Sequence, residues 1–169
     1  MPGADYLYTV AQIAVALIGF SGIVAAFKER GTAGFATSEQ ALLGLLIERG
    51  FAALFFALLP PLLALLMPPG RAFWAACSGL LAAYTLTAFV RLIRRRRTMS
   101  TSARATGARS FYLNSTVALS AAFGVQLLNA AGVVPNQGVG WYALGATWYL
   151  VAGANLFVAL LRVDAVERR

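Results

Sequence analysis

"SFYLNSTVALSAAFGVQLLNAAGVVPNQGVGWYALGATWYLVAGANLFVALL", residues 110–161, contains no Asp, Glu, Lys, Arg or His. A hydrocarbon span takes ~20 helical residues, so this run is long enough for two. Its middle, "AGVVPNQGVGW" at 131–141, holds Pro, Asn and three glycines. These residues supply fixed or positive φ where a helix must stop. The run therefore predicts two membrane helices joined by a turn.

Three further runs, residues 6–27, 50–67 and 72–90, are equally free of charge. Together they predict an all-α fold: one polytopic transmembrane helical bundle over 1–169. Its five spans fall at about 6–27, 43–67, 72–93, 111–133 and 141–161. A four-span arrangement, with the first span outside the bundle or re-entrant, is the alternative. Strands are excluded because lone apolar strands leave amides unpaired in lipid, and the alternation of a closed barrel is absent. The composition agrees. Only 12% of the chain is charged and 60% is hydrophobic, whereas an ordinary soluble domain has about a quarter of its residues charged.

Charge then sets the side. "VRLIRRRRTMSTSARATGARS", residues 90–110, holds Arg91, Arg94, Arg95, Arg96, Arg97, Arg104 and Arg109. With five spans this basic loop, 94–110, shares a side with Lys28, Arg30, Arg49, Arg162, Arg168 and Arg169, leaving only Arg71 opposite. Basic residues accumulate on the cytoplasmic side. The N-terminus is thus expected outside and the C-terminus in the cytosol, in the general pattern of a multipass bacterial inner (plasma) membrane protein. The run Arg94 to Arg97 is foremost a topology anchor. Its second expected role is contact with anionic lipid headgroups, each basic residue near a leaflet contributing ~1 kcal/mol. Nucleic acid is not expected as a partner, because no aromatic interleaves these arginines. The leading "MPGADYLYT" has an acid and no basic side chain, unlike the basic start of a secretory signal.

Helices in lipid associate through small residues that let backbones approach. The expected packing face of the first span is Gln12, Ala16, Gly19, Gly22 and Ala26. That of the second is Gly50, Ala53, Ala57 and Ala64, with Pro60 between them. The third offers Ala75, Ser78, Ala82 and Thr85. The fourth offers Ser115, Ala118, Ala122, Gln126 and Asn129, and the fifth Gly145, Ala152, Asn155 and Ala159. Pro60 and Pro61 should loosen one end of the second span, since they remove the donors for the carbonyls of Phe56 and Ala57. "TSEQ" at 37–40 has capping-box spacing. The stretch 38–47 is expected along the membrane surface, with Glu48 and Arg49 at the inner interface. Tyr6, Tyr8, Phe73, Trp74, Phe111, Tyr112, Trp141 and Tyr142 lie near span ends and read as an interfacial aromatic belt.

Gln12, Glu48, Gln126, Asn129 and Asn155 are the polar candidates within or beside spans. Two readings apply to them: interhelical contacts, or a polar path between helices. Glu48 reads as an interface acid paired with Arg91 or Arg94, or as a gate. The sole cysteine, Cys77, lies in an apolar run and reads as packing.

The absences point to function class. The chain has no His, and its acids are Asp5, Glu29, Glu39, Glu48, Asp164 and Glu167. Positioned acid–base groups and clustered metal ligands are not evident, so no enzyme, metal or cofactor is expected. "GFSG" at 19–22 lacks the spacing of a nucleophile elbow. The expectation is a small non-enzymatic membrane protein acting by helix–helix association, as a homo-oligomer or as a subunit of a larger membrane complex. The alternative is a small ion or solute channel or facilitator.

Overall fold

An amide in hydrocarbon can be satisfied only by its own segment or a neighbouring one, and long apolar runs accordingly become helices. A computed structural model describes residues 3–29, 37–98, 108–134 and 138–167. Its elements are five helices: α1 (Ala4–Glu29), α2 (Thr37–Leu63), α3 (Arg71–Thr98), α4 (Ala108–Ala131) and α5 (Val139–Glu167), with no strand among the described residues. Four are long and apolar enough to cross a membrane, in the stretches Ala4–Phe27, Gln40–Leu63, Arg71–Arg94 and Val139–Leu161. The apolar stretch of α4 among the described residues is the shorter Val117–Ala131.

Two boundaries differ from expectation. The basic loop does not begin at Arg94, because α3 runs on to Thr98. Arginine is a good helix former, so nothing local stops the helix where the apolar run ends. At the other end, α2 closes at Leu63, short of Met67. Pro60 and Pro61 lie in its last turn. Beyond them the bonding tightens from Ala64 N–H donating to Pro60 O, at 2.9 Å, to Leu66 N–H donating to Leu63 O, at 2.9 Å. The start of α2 at Thr37 agrees with the capping spacing, and the helix runs unbroken through Glu48 and Arg49. Of the capping box predicted from Thr37 to Gln40, Gln40 is exposed and the Thr37 side chain lies outside the described residues.

The contacts group the chain into two compact units, one of Met1–Leu66 with Ala146–Arg169 and one of Met67–Gly145. In the first, α1 packs on α2. The buried line of α2 is Leu46, Gly50, Ala53, Ala57 and Pro60, at alternating spacings of four and three. That spacing is the seam of closely packed helices. The buried line of α1 is Leu7, Val10, Ala11, Ala14 and Ser21. The expected small-residue face of α1 is therefore overturned within the chain: Gln12, Ala16, Gly19, Gly22 and Ala26 are all exposed. The reason is complementarity of size. A Cβ on Gly50 would fall 2.6 Å from Ile18 Cγ1, so a large α1 residue fills the notch that α2 leaves bare. α5 joins at the same level, where a Cβ on Gly153 would lie 2.9 Å from Leu17 Cδ2 and 3.9 Å from the Gly50 nitrogen. Towards the C-terminal end of α5, Leu46, Leu156 and Leu160 form a buried cluster with Leu17, Val24 and Phe157 against it.

In the second unit α3 packs on α4. Phe73, Trp74, Cys77, Ser78, Leu81, Ala82, Thr85 and Ala88 are buried along α3. Trp74 meets Phe73 edge-on at 5.0 Å and Tyr142 at 6.0 Å between centroids. All three rings are buried. These aromatics thus pack inside the protein, against the interfacial belt expected for them. Tyr6 and Tyr8 are exposed, while the side chains of Phe111 and Tyr112 lie outside the described residues.

The end of α4 has a specific geometry. Gly132 sits at φ +70°. Its N–H donates to Asn129 O, and Val133 N–H donates to Leu128 O, both at 3.1 Å. This pair is the Schellman closure, which a Cβ disfavours. Arg71 lies against it, since a Cβ on Gly132 would come 2.6 Å from Arg71 Nη2. A cation at a helix C-terminus is favourable. The one arginine that sidedness left on the minority side thus has a local electrostatic role.

Two outcomes follow. Gly153→Leu should lower the unfolding midpoint strongly, an overpacking cost of about 1–3 kcal/mol or more, whereas Gly19→Leu should leave the isolated chain's midpoint nearly unchanged. Gly132→Ala should cost about 1–2 kcal/mol from the left-handed φ alone, and Arg71→Met should recover none of it. Thermal unfolding in mild detergent measures both.

Candidate functional site

The polar candidates separate by unit. In the second unit, Gln126 and Asn129 lie one turn apart on α4, and both are fully buried. Asn129 Nδ2 donates to Ser78 Oγ at 2.7 Å and so ties α4 to α3. Gln126 Nε2 donates to the backbone carbonyl of Trp141, in the first turn of α5, at 2.8 Å. Gly145 makes that second bond feasible. It stands one turn beyond Trp141, where a Cβ would lie 2.6 Å from Gln126 Nε2 and 2.7 Å from Leu81 Cδ2. Gln126 Oε1 is buried with no partner among the described residues.

Hydroxyls elsewhere bond to their own helix: Ser21 Oγ to Leu17 O at 2.6 Å, Thr85 Oγ1 to Leu81 O at 2.7 Å and Thr87 Oγ1 to Tyr84 O at 2.7 Å. This is the local solution for a hydroxyl in hydrocarbon.

In the first unit the picture is more open. Gln12 is exposed on α1, at the edge of a shallow groove of about 420 Å³ lined also by Tyr8, Ala11, Val15, Leu54 and Leu58. Asn155 is exposed on α5. Neither lines an enclosed path within this unit. Glu48 is half-buried and has an interaction partner. The hydroxyls of Tyr6 and Thr147 share a hydrogen bond of 2.7 Å between α1 and α5. Of the expected packing residues, Gly50, Ala53 and Ala57 are buried in the α2 seam, while Gly19 and Gly22 face open space. Arg94 is exposed near the end of α3. The side chains of Arg95, Arg96 and Arg97 lie outside the described residues.

Arg49 is a site residue that sequence reasoning missed. Its guanidinium carbon stands 5.3 Å from the centroid of the buried Tyr149 ring. Its Nη1 is buried and has no hydrogen-bond partner among the described residues. The signal was in plain view: an arginine within one continuous apolar helix is costly unless something pairs with it. Reading "IER" as a membrane boundary hid that signal.

Among the described residues no three His, Cys, Asp or Glu gather where a metal ion could be held. The arrangement offers interhelical amide locks in one unit and a stacked cation in the other. Four helices long and apolar enough to cross a membrane place the chain in the class of helical membrane proteins. Beyond that class, no protein-family model, no curated protein and no solved structure matches the chain.

The amide locks can be measured. Ser78→Ala should cost about 0.5–1.5 kcal/mol, the range of interhelical hydrogen bonds in lipid. Gly145→Ala should cost more, because its methyl group takes the place of Gln126 Nε2 beside the Trp141 carbonyl. Equal, negligible losses in reversible unfolding would show that neither amide fastens its helix.

Proposed function

We propose that this chain is a small five-span protein of a bacterial plasma membrane, N-terminus outside and C-terminus cytosolic, that acts by helix–helix association. It serves as a homo-oligomer or as a subunit of a larger membrane complex, without catalysis. The observation that carries this reading is the outer face of α1. Gln12, Ala16, Gly19, Gly22 and Ala26 are exposed along its whole length, and a Cβ on Gly19 or Gly22 would meet nothing within 4 Å. Such a face admits a second backbone closely, which is how helices associate where hydrophobicity provides no drive. α1 is also the least covered span: 22% of its most apolar window is buried, against 33% in each of the other three.

The sidedness rests on the arginines. The run Arg94–Arg97 anchors the cytosolic rim and holds anionic headgroups there. The five-span count rests on α4, whose 24 residues suffice for a crossing by length.

A channel is the weaker reading. Its path would need free polar groups, and the Gln126 and Asn129 amides already donate to Trp141 and Ser78.

Native mass spectrometry from mild detergent tests the proposal. The expected result is a discrete oligomer or a stoichiometric membrane partner, weakened by Gly19→Leu with Gly22→Leu while the protomer's unfolding midpoint holds. A strictly monomeric particle without a partner overturns it.

A further inference from the structure

Sidedness does not explain Arg49. It is the tenth residue of the apolar stretch Gln40–Leu63, so it lies about 13 Å along the helix from Gln40 at 1.5 Å per residue. A stretch of that length roughly matches the hydrocarbon thickness, which leaves the arginine inside it. Arginine stays charged there and presents five N–H donors in a rigid planar fork.

The surroundings hold the side chain and leave its Nη1 without a partner among the described residues. Tyr149, itself 1% exposed, offers its ring face at 5.3 Å. The ring attracts the cation but accepts none of the edge donors. α5 presses on the base of the stem, where a Cβ on Gly153 would lie 3.6 Å from Arg49 Cβ. Beside Gly50 and Gly153 the packing side chains are Ile18 and Leu17, which carry no acceptor. Nη1 is buried without a partner among the described residues. Glu48 is the adjacent residue, but neighbours on a helix project about 100° apart. The arginine as a whole is only half-buried. The guanidinium thus stacks on Tyr149, with Nη1 buried, while part of the residue reaches the protein surface.

A guanidinium stacked on a ring, with a buried donor that finds no acceptor among the described residues, favours an anionic acceptor. We propose that Arg49, stacked on Tyr149, is a binding site for a phosphate-type anion, supplied by a lipid headgroup or by soluble phosphate. Two parallel N–H···O bonds to a phosphate are the strong arrangement for this side chain. They would supply the counter-charge and an acceptor that Nη1 lacks among the described residues. The site does not rest on self-association, since every residue in it comes from one protomer. It is also distinct from the Arg94–Arg97 run.

The test uses the full chain in dodecyl maltoside, which carries no phosphate. Unfolding midpoints are compared with phosphatidylglycerol against diacylglycerol, and with inorganic phosphate against chloride at equal ionic strength. A phosphate-bearing probe should raise the wild-type midpoint, and Arg49→Gln should weaken its half-saturation roughly tenfold, the loss of one charge-assisted pair. A gain with phosphatidylglycerol alone identifies a lipid headgroup, and a gain with inorganic phosphate identifies a soluble anion. No gain with either probe overturns the site. So does a gain undiminished in Arg49→Gln, or one that vanishes only when Arg94–Arg97 are replaced by Gln. Should Arg49→Gln fail to fold, Arg49→Lys decides. It keeps the charge and loses the planar fork, so weakened binding supports the site and undiminished binding removes it.

Discussion

Hydrocarbon offers no hydrogen bonds, and that constraint shapes this chain from its backbone outward. The helices satisfy their amides internally. Ser21, Thr85 and Thr87 turn their hydroxyls back onto their own helices. Gln126 and Asn129 reach across to a carbonyl and a hydroxyl on neighbouring segments. Even the end of α4 is closed, by two backbone bonds around Gly132. Where α2 carries Pro60 and Pro61, and donors are missing, the helix stops within a turn.

Beyond these bonds, packing is decided by shape. The small residues of α2 do not meet the glycines of α1, which face open space. Ile18 enters the notch at Gly50, and Leu17 comes against Gly153. A bare position is worth most where a large side chain faces it, because the contact area is then greatest. This leaves the α1 glycines outside the chain's own core, available to another helix. The same principle draws Phe73, Trp74 and Tyr142 inward. Rings near a span end suit the headgroup region, yet they pack equally well on each other when the helices bring them together.

Arg71 and Arg49 show how one residue type answers two environments. Arg71 lies exposed against the C-terminal turn of α4, where the helix dipole is negative. Arg49 sits against a ring within an apolar helix, where no dipole end is near. The first has found its partial counter-charge inside the chain. The second stacks on a π face, and its Nη1 is buried without a hydrogen-bond partner among the described residues.

The run of uncharged residues determined by itself that this chain is helical, since their length matches a bilayer and their composition leaves no polar skin. Turn residues near 132 marked where α4 must end, because only glycine takes that φ without strain. The buried amides on α4 and the glycine seam of α2 were legible too, because polar and small residues stand out against a leucine background. Which face of α1 packs inward was not legible. Small residues occur on several faces, and choosing among them requires knowing that Ile18 lies opposite Gly50. Nor did the sequence reveal that Gln126 bonds to the Trp141 carbonyl or that Arg49 stacks on Tyr149. Those partners lie 15 and 100 residues away along the chain, and only helix packing brings them within reach.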